Sequence, residues 1–141
     1  MFIYKTKIHL HETDAAGLLF FSQQLKLMHD AYEMLLENVG LGFAELIKNK
    51  NYFLPIVHVE ADYKAPLFVG DAIENHVRLT RIGRTSFTFT YKIFNAPKVL
   101  VGTGQTVHVT IDKKSRKKIP IPPEMLSKIR ELYKKDLKEG V

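Results

Sequence analysis

No cysteine occurs among the 141 residues. That absence excludes disulfides, thiolate metal sites and a cysteine nucleophile, so any covalent chemistry must come from an oxygen, a nitrogen or a carboxylate. Long apolar runs are missing too. No window approaches the roughly 20 apolar residues of a membrane span, and Met1 to Leu10 alternates apolar with polar residues instead of forming the continuous core of a signal peptide. The expectation is a cytoplasmic protein with no membrane span. The six histidines, His9, His11, His29, His58, His76 and His108, show neither HxxxH nor HExxH spacing, which argues against a metal site. Internal repeats, low-complexity tracts and domain linkers are also absent, so the length points to one domain, residues 1–141, with hydrophobic residues at 45% supplying one core.

The formal charge is +6, which favours an anionic partner: nucleic acid, a membrane surface or a phosphate-bearing small molecule. The densest basic run is Lys113, Lys114, Arg116, Lys117 and Lys118. It reads either as a solvated surface or as an attractor for the phosphates of a nucleotide-like substrate. Nucleic acid is disfavoured, because no recognition helix or exposed aromatic ladder accompanies the charge.

Period-two alternation predicts a first strand over 2–10, ended by the polar stretch His11 to Asp14. After Gly17 an apolar run, Leu18 to Phe21, leads to Ser22, an eligible N-cap. Leu25, Met28, Tyr32, Leu35, Leu36 and Val39 then follow at helical spacing until Gly40 and Gly42. That predicts a helix of about 17 residues, about 26 Å long. A short helix at Phe43 to Lys48 and strands at 56–63, 72–82, 85–94 and 99–112 come next. Phe87, Phe89, Tyr91 and Ile93 fall on one face of the third of these. Pro122 and Pro123 open a terminal helix with an apolar stripe of Met125, Ile129, Leu132 and Tyr133. This order predicts an α+β fold, an antiparallel sheet packed on one main helix with an amphipathic C-terminal helix.

The stretch His11-Glu12-Thr13-Asp14-Ala15-Ala16-Gly17 gathers titratable and small residues between a strand and a helix, where loops commonly carry function. Asp14 reads either as an Asx-type turn residue or as a catalytic carboxylate. The catalytic reading gains from the nearby helix start. Backbone N–H groups around Phe21 and Ser22 lack intrahelical acceptors and carry partial positive charge, so they can polarise a carbonyl that Asp14 attacks, or that a water deprotonated by Asp14 attacks. His58, between two valines on a strand, is either a packed residue or a substrate contact. His29 and Glu33 lie one helical turn apart and are expected to interact. Gly83-Arg84-Thr85-Ser86 combines flexibility, a fixed cation and two hydroxyls, a set suited to phosphate, although a plain hairpin turn has the same composition.

Thr13-Asp14-Ala15-Ala16-Gly17, then Leu18-Leu19-Phe20-Phe21 and the long helix, resembles the signature of the 4-hydroxybenzoyl-CoA thioesterase family. Leu54-Pro55-Ile56-Val57, Tyr63-Lys64-Ala65-Pro66, Gly70-Asp71 and Gly83-Arg84-Thr85-Ser86-Phe87 follow in that family's order. Phe53 to His58 is most similar to the 1,4-dihydroxy-2-naphthoyl-CoA thioesterases of menaquinone and phylloquinone biosynthesis. The resemblance spans about residues 3–112. It implies a hotdog fold with the sheet wrapped around the long helix, and homodimers that pair edge strands, carry active sites at the interface and associate into homotetramers. It also implies hydrolysis of acyl-CoA without a cofactor or a metal. By the same resemblance Asp14 is the catalytic carboxylate and the Phe21 N–H the thioester-oxygen donor, with Gly17, His58, Arg84, Thr85 and Ser86 near the substrate. Some relatives carry histidine at the position of Phe21, and this chain cannot use that side chain. Two rival readings are a dehydratase or hydratase of the same fold, using His11 or His58 with Asp14, and a non-catalytic acyl-CoA-binding module.

Overall fold

The computed structural model describes residues 1–139. Strand β1 (Phe2–Lys7) precedes helix α1 (Gln23–Asn38) and helix α2 (Phe43–Asn49). Strands β2 (Tyr52–Phe53), β3 (Ile56–Tyr63), β4 (Ala72–Ile82), β5 (Ser86–Asn95), β6 (Leu100–Val109) and β7 (Ile111–Asp112) follow, and helix α3 (Pro123–Glu139) closes the order. The main sheet runs β1-β4-β5-β6-β3 with every neighbouring pair antiparallel. The α+β architecture expected from the sequence is the one observed.

The inward face of β5 carries Phe87, Phe89, Tyr91 and Ile93, all essentially inaccessible to solvent. Burying side chains of this size stabilises by about 1.5–3 kcal/mol each, so this strand is a major part of the core. Helix α1 lies on that face and buries Leu27, Met28, Ala31, Tyr32, Leu35 and Leu36. Its approach to β6 is close. A Cβ on Gly102 would stand 2.6 Å from Gln24 Oε1, and one on Gly104 would stand 2.5 Å from Met28, so a side chain at either position would displace the end of the helix side chain facing it. The predicted stripe is largely kept, with Met28, Tyr32, Leu35 and Leu36 buried. Gln24 is buried against β6, whereas Leu25, assigned to the apolar face from spacing, sits at the rim at 36% exposure.

Three further boundaries differ from the sequence reading. The first strand stops at Lys7, because residues 10–12 wind into a single 3-10 turn (Leu10–Glu12) held by the Glu12 side chain. The predicted strand over 99–112 is broken at Thr110, whose N–H donates to Thr85 O at 2.9 Å and whose hydroxyl donates to Ile119 O at 2.5 Å. That turns Ile111–Asp112 away to pair with Tyr52–Phe53, a strand the pattern did not reveal. Finally, β3 lies at the edge opposite β1, so residues 64–71 form a crossover instead of a hairpin, and this crossover builds the floor of the site described next.

Candidate active site

Residues 13–19 form a small hairpin of their own. Asp14 N–H donates to Leu18 O at 2.8 Å, Gly17 N–H donates to Asp14 O at 3.0 Å, and Thr13 bridges Leu19. Gly17 has φ +77°, the left-handed region where a side chain is strained, so glycine makes this turn possible. The crossover is stitched to the hairpin by Leu19 N–H to Leu67 O at 2.8 Å and Val69 N–H to Gly17 O at 3.0 Å. A loop tied from both sides holds its carboxylate in a defined place.

Asp14 fulfils the turn reading and leaves room for the catalytic one. Its Oδ1 accepts N–H bonds from Ala16 at 2.9 Å and Leu18 at 3.2 Å, while Oδ2 has no hydrogen-bond partner among the described residues. In the single chain the residue is exposed. It nevertheless lines a cavity of about 400 Å³ together with Phe21, Gln24, Tyr63 and the apolar side chains Leu18, Leu19, Pro66 and Leu67. Phe21 and Ser22 precede the first helical residue, and Gln23 N–H turns back to Phe20 O at 2.9 Å. The Phe21 N–H finds no acceptor among the described residues. Its own carbonyl is pinned by the Tyr63 hydroxyl at 2.5 Å. Ser22, the N-cap by position, has helical dihedrals and makes no side-chain cap bond, which leaves the helix mouth open. Asp14, with a free carboxylate oxygen, and Phe21, with a free amide, therefore line one cavity.

Glu12 stands behind this pair. It is only 1% exposed. Its Oε1 accepts the His9 N–H at 2.7 Å and lies 3.1 Å from His9 Nδ1, and Oε2 pairs with Lys26 of α1 at 3.4 Å. Burial pushes the carboxyl pKa up, but the two His9 hydrogen bonds and the Lys26 charge outweigh it and hold it below 4.5. The Glu12 carbonyl accepts the Phe20 N–H at 2.9 Å, so this residue couples the Asp14 hairpin to the helix mouth.

The remaining sequence candidates lie elsewhere in the single chain. His58 is 3.6 Å from Glu60 on the outer strand β3 and does not line the Asp14 cavity. Arg84 borders a separate cavity with Pro120, Ile121, Arg130 and Tyr133. Thr85 and Ser86 use their carbonyls to hold Thr110 and Gly83. His11 stacks on His9, ring centroids 5.5 Å apart, and is also outside the cavity, so neither histidine proposed for a dehydratase meets Asp14. His29 packs edge-on against Tyr32. Among the described residues, no three His, Asp or Glu side chains converge as a metal site would require. In the basic run, Lys113 binds Ile47 O at 2.7 Å, and Lys113 and Arg116 lie over the Phe53 ring.

Sequence reasoning missed Gln24 and Tyr63 as cavity residues. The available signal for Gln24 was a polar side chain one turn before Met28 on a helix whose neighbours in that row are all apolar.

A family model described as "Thioesterase-like superfamily" matches residues 8–129. A 1,4-dihydroxy-2-naphthoyl-CoA hydrolase of Nostoc punctiforme is 35% identical over 125 residues, covering 89% of this chain and 84% of the relative. The crystal structure of a 1,4-dihydroxy-2-naphthoyl-CoA thioesterase from Synechocystis superposes with a TM-score of 0.87 at 33% identity, covering 93% of this chain and 96% of that one. The structure of a gentisyl-coenzyme A thioesterase superposes with a TM-score of 0.79 at 25% identity, over 88% of this chain and 98% of that one.

Proposed function

The chain belongs to the thioesterase-like superfamily, and on that premise we propose that it hydrolyses acyl-CoA thioesters in the Asp14 cavity. Thioester hydrolysis is the activity carried by relatives that match most of its length. The observation that supports this location is that Asp14, whose Oδ2 is unpartnered, and Phe21, whose N–H is unpartnered, line one cavity.

The thioester oxygen accepts the Phe21 N–H, which faces the negative charge that develops as the carbonyl carbon becomes tetrahedral. Asp14 Oδ2 supplies the attack in one of two balanced ways. As nucleophile it forms an acyl anhydride and expels the CoA thiolate, and water then releases the acid. As general base it takes a proton from a water that attacks directly. A thioester is already activated, so one oriented carboxylate and one amide donor suffice without a metal, a cofactor or a serine triad.

The acyl group we favour is aromatic, 1,4-dihydroxy-2-naphthoyl in particular, since Leu18, Leu19, Phe21, Pro66 and Leu67 line the cavity and the relatives carry that name. That substrate would place the chain in quinone biosynthesis, acting in the cytoplasm. Among the described residues no helix is long and apolar enough to cross a membrane.

A second copy of the chain is part of the proposal. Strand β3 is an open edge with seven of its eight residues exposed, including Val57 at 56% and Tyr63 at 53%. Open apolar edges of this length invite pairing with another strand. A homodimer joined through β3, and a dimer of such dimers, would cover that edge and bring His58, Arg84, Thr85 and Ser86 to the bound substrate across subunits, with Gly17 shaping the mouth. The test is a hydrolysis screen of aromatic, short-chain and long-chain acyl-CoAs read with a thiol reagent. Turnover of aromatic thioesters supports the reading, and binding without thiol release refutes it in favour of a binding module.

A further inference from the structure

Gln24 is 2% exposed, yet it lines the same cavity as Asp14. Its Nε2 donates to two backbone carbonyls, Asp62 O at 3.0 Å and Thr103 O at 3.1 Å, which belong to residues paired across the β3–β6 ladder. Both amide protons are thereby used, and the orientation of the amide is set, because reversing it would set an oxygen against two carbonyl oxygens. Oε1 is left with no hydrogen-bond partner among the described residues. The strand makes space for this group, since any side chain at 102 would collide with it. A polar side chain held this firmly has one free function, that of an acceptor.

We infer that Gln24 is a specificity residue whose Oε1 accepts a hydrogen bond from a hydroxyl on the acyl group, so that the enzyme selects hydroxylated aromatic acyl-CoAs over unsubstituted ones. The inference rests on the thioesterase reading above and adds a ligand-side requirement to it. Of the other polar groups lining the cavity, Lys64 is a donor and the Tyr63 hydroxyl has its proton committed to Phe21 O. Asp14 Oδ1 is engaged in its turn and Oδ2 in the chemistry, and the Phe21 amide is a donor. A substrate without a hydroxyl leaves the buried acceptor unmatched, a mismatch that lowers kcat/KM by about 10- to 100-fold. The pantetheine arm of CoA also carries amide donors, but it is common to every substrate and cannot change a ratio between acyl groups.

The experiment measures kcat/KM for benzoyl-CoA and its 2-, 3- and 4-hydroxy isomers with wild type and Gln24→Met, which keeps length and removes both polar atoms. Wild type is expected to favour at least one hydroxy isomer by ten-fold or more after correction for its rate with hydroxide. Gln24→Met should collapse that preference to within about 3-fold, the ratio between hydroxylated and unsubstituted acyl groups being the readout whatever the absolute rates. A purely structural role would lower all substrates together and leave the ratio intact, which would overturn the proposal, as would a role confined to the pantetheine arm. Should Gln24→Met fail to fold, Gly102→Ala displaces the same amide from the strand side and is expected to lower the same ratio. Absence of any hydroxyl preference in wild type overturns the inference without a variant. Absence of all thioester turnover would instead overturn the thioesterase reading beneath it.

Discussion

Replacing Glu12 tests whether the loop behind the carboxylate is a rigid support. Glu12→Gln keeps the shape and removes the charge, whereas Glu12→Ala removes both. The bond from His9 N–H to the carboxylate at 2.7 Å is charge-assisted, a class that contributes about 1.5–3 kcal/mol. Lys26 is about half exposed, so its pair adds less than about 1 kcal/mol once solvent screening is counted. Glu12→Ala should therefore cost about 2–4 kcal/mol, and Glu12→Gln about 1–2 kcal/mol. In a chain of this size that lowers Tm by roughly 2–4 °C per kcal/mol.

The functional consequence follows from the Glu12 carbonyl, which holds Phe20 N–H next to the proposed oxyanion donor. Loosening it lets the Phe21 amide drift from Asp14, and a misplacement of about 1 Å costs up to about 100-fold in rate. We expect kcat to fall 10- to 100-fold in Glu12→Ala with a smaller change in KM. The pH sign is also defined. Because the folded carboxyl titrates below 4.5, its stabilisation is present above that pH and is lost as pH falls through the folded value. The assays are urea denaturation from pH 3 to 7 and steady-state kinetics. A Glu12→Gln protein with unchanged Tm, unchanged acid sensitivity and unchanged kcat would refute the reasoning.

Two further outcomes concern the core and the sheet edge. His108 is buried, its Nε2 bonded to Thr106 Oγ1 at 2.8 Å and its ring stacked on Tyr32 at 4.1 Å, and burial pulls its pKa down from 6.5 to about 4. The unfolded chain binds a proton that the folded one refuses between those values, so stability should drop by about 2 kcal/mol from pH 7 to pH 5. His108→Phe should flatten that slope in urea titrations. If the proposed β3-joined dimer forms, lysines at both Val57 and Val59 should convert it to a monomer in sedimentation velocity, with the fold retained by circular dichroism.

Much of this fold was readable because the periodicities are strong. The apolar row at Phe87, Phe89, Tyr91 and Ile93 marked β5, and the 72–82 and 56–63 strands fell where alternation and flanking turns put them. What periodicity does not encode is tertiary bonding. The break at Thr110 depends on its N–H bond to Thr85 and its hydroxyl bond to Ile119, and the Tyr52–Phe53 pairing depends on that break. Leu25 was assigned to the buried row because local spacing does not reveal that the glycine at 102 admits Gln24 there instead. In the site, Asp14 and Phe21 were legible from a loop-to-helix junction and fall in one cavity. Gln24 was not singled out, and Glu12 was noted only as a titratable residue of the loop, because their significance lies in burial and in partners on other elements. His58 and Arg84 sit apart from Asp14 within one chain, and their proposed roles depend on the second subunit.

The central claim is that one carboxylate, Asp14, drives thioester cleavage. Asp14→Asn keeps nearly the same shape and the turn bonds to Ala16 and Leu18 while removing the anion. Single-turnover hydrolysis of 1,4-dihydroxy-2-naphthoyl-CoA by this variant, alongside its substrate Kd, is the direct measurement. The account predicts a loss of about 1000-fold or more in the chemical step with Kd changed by less than about 5-fold. Hydrolysis at the wild-type rate would contradict it.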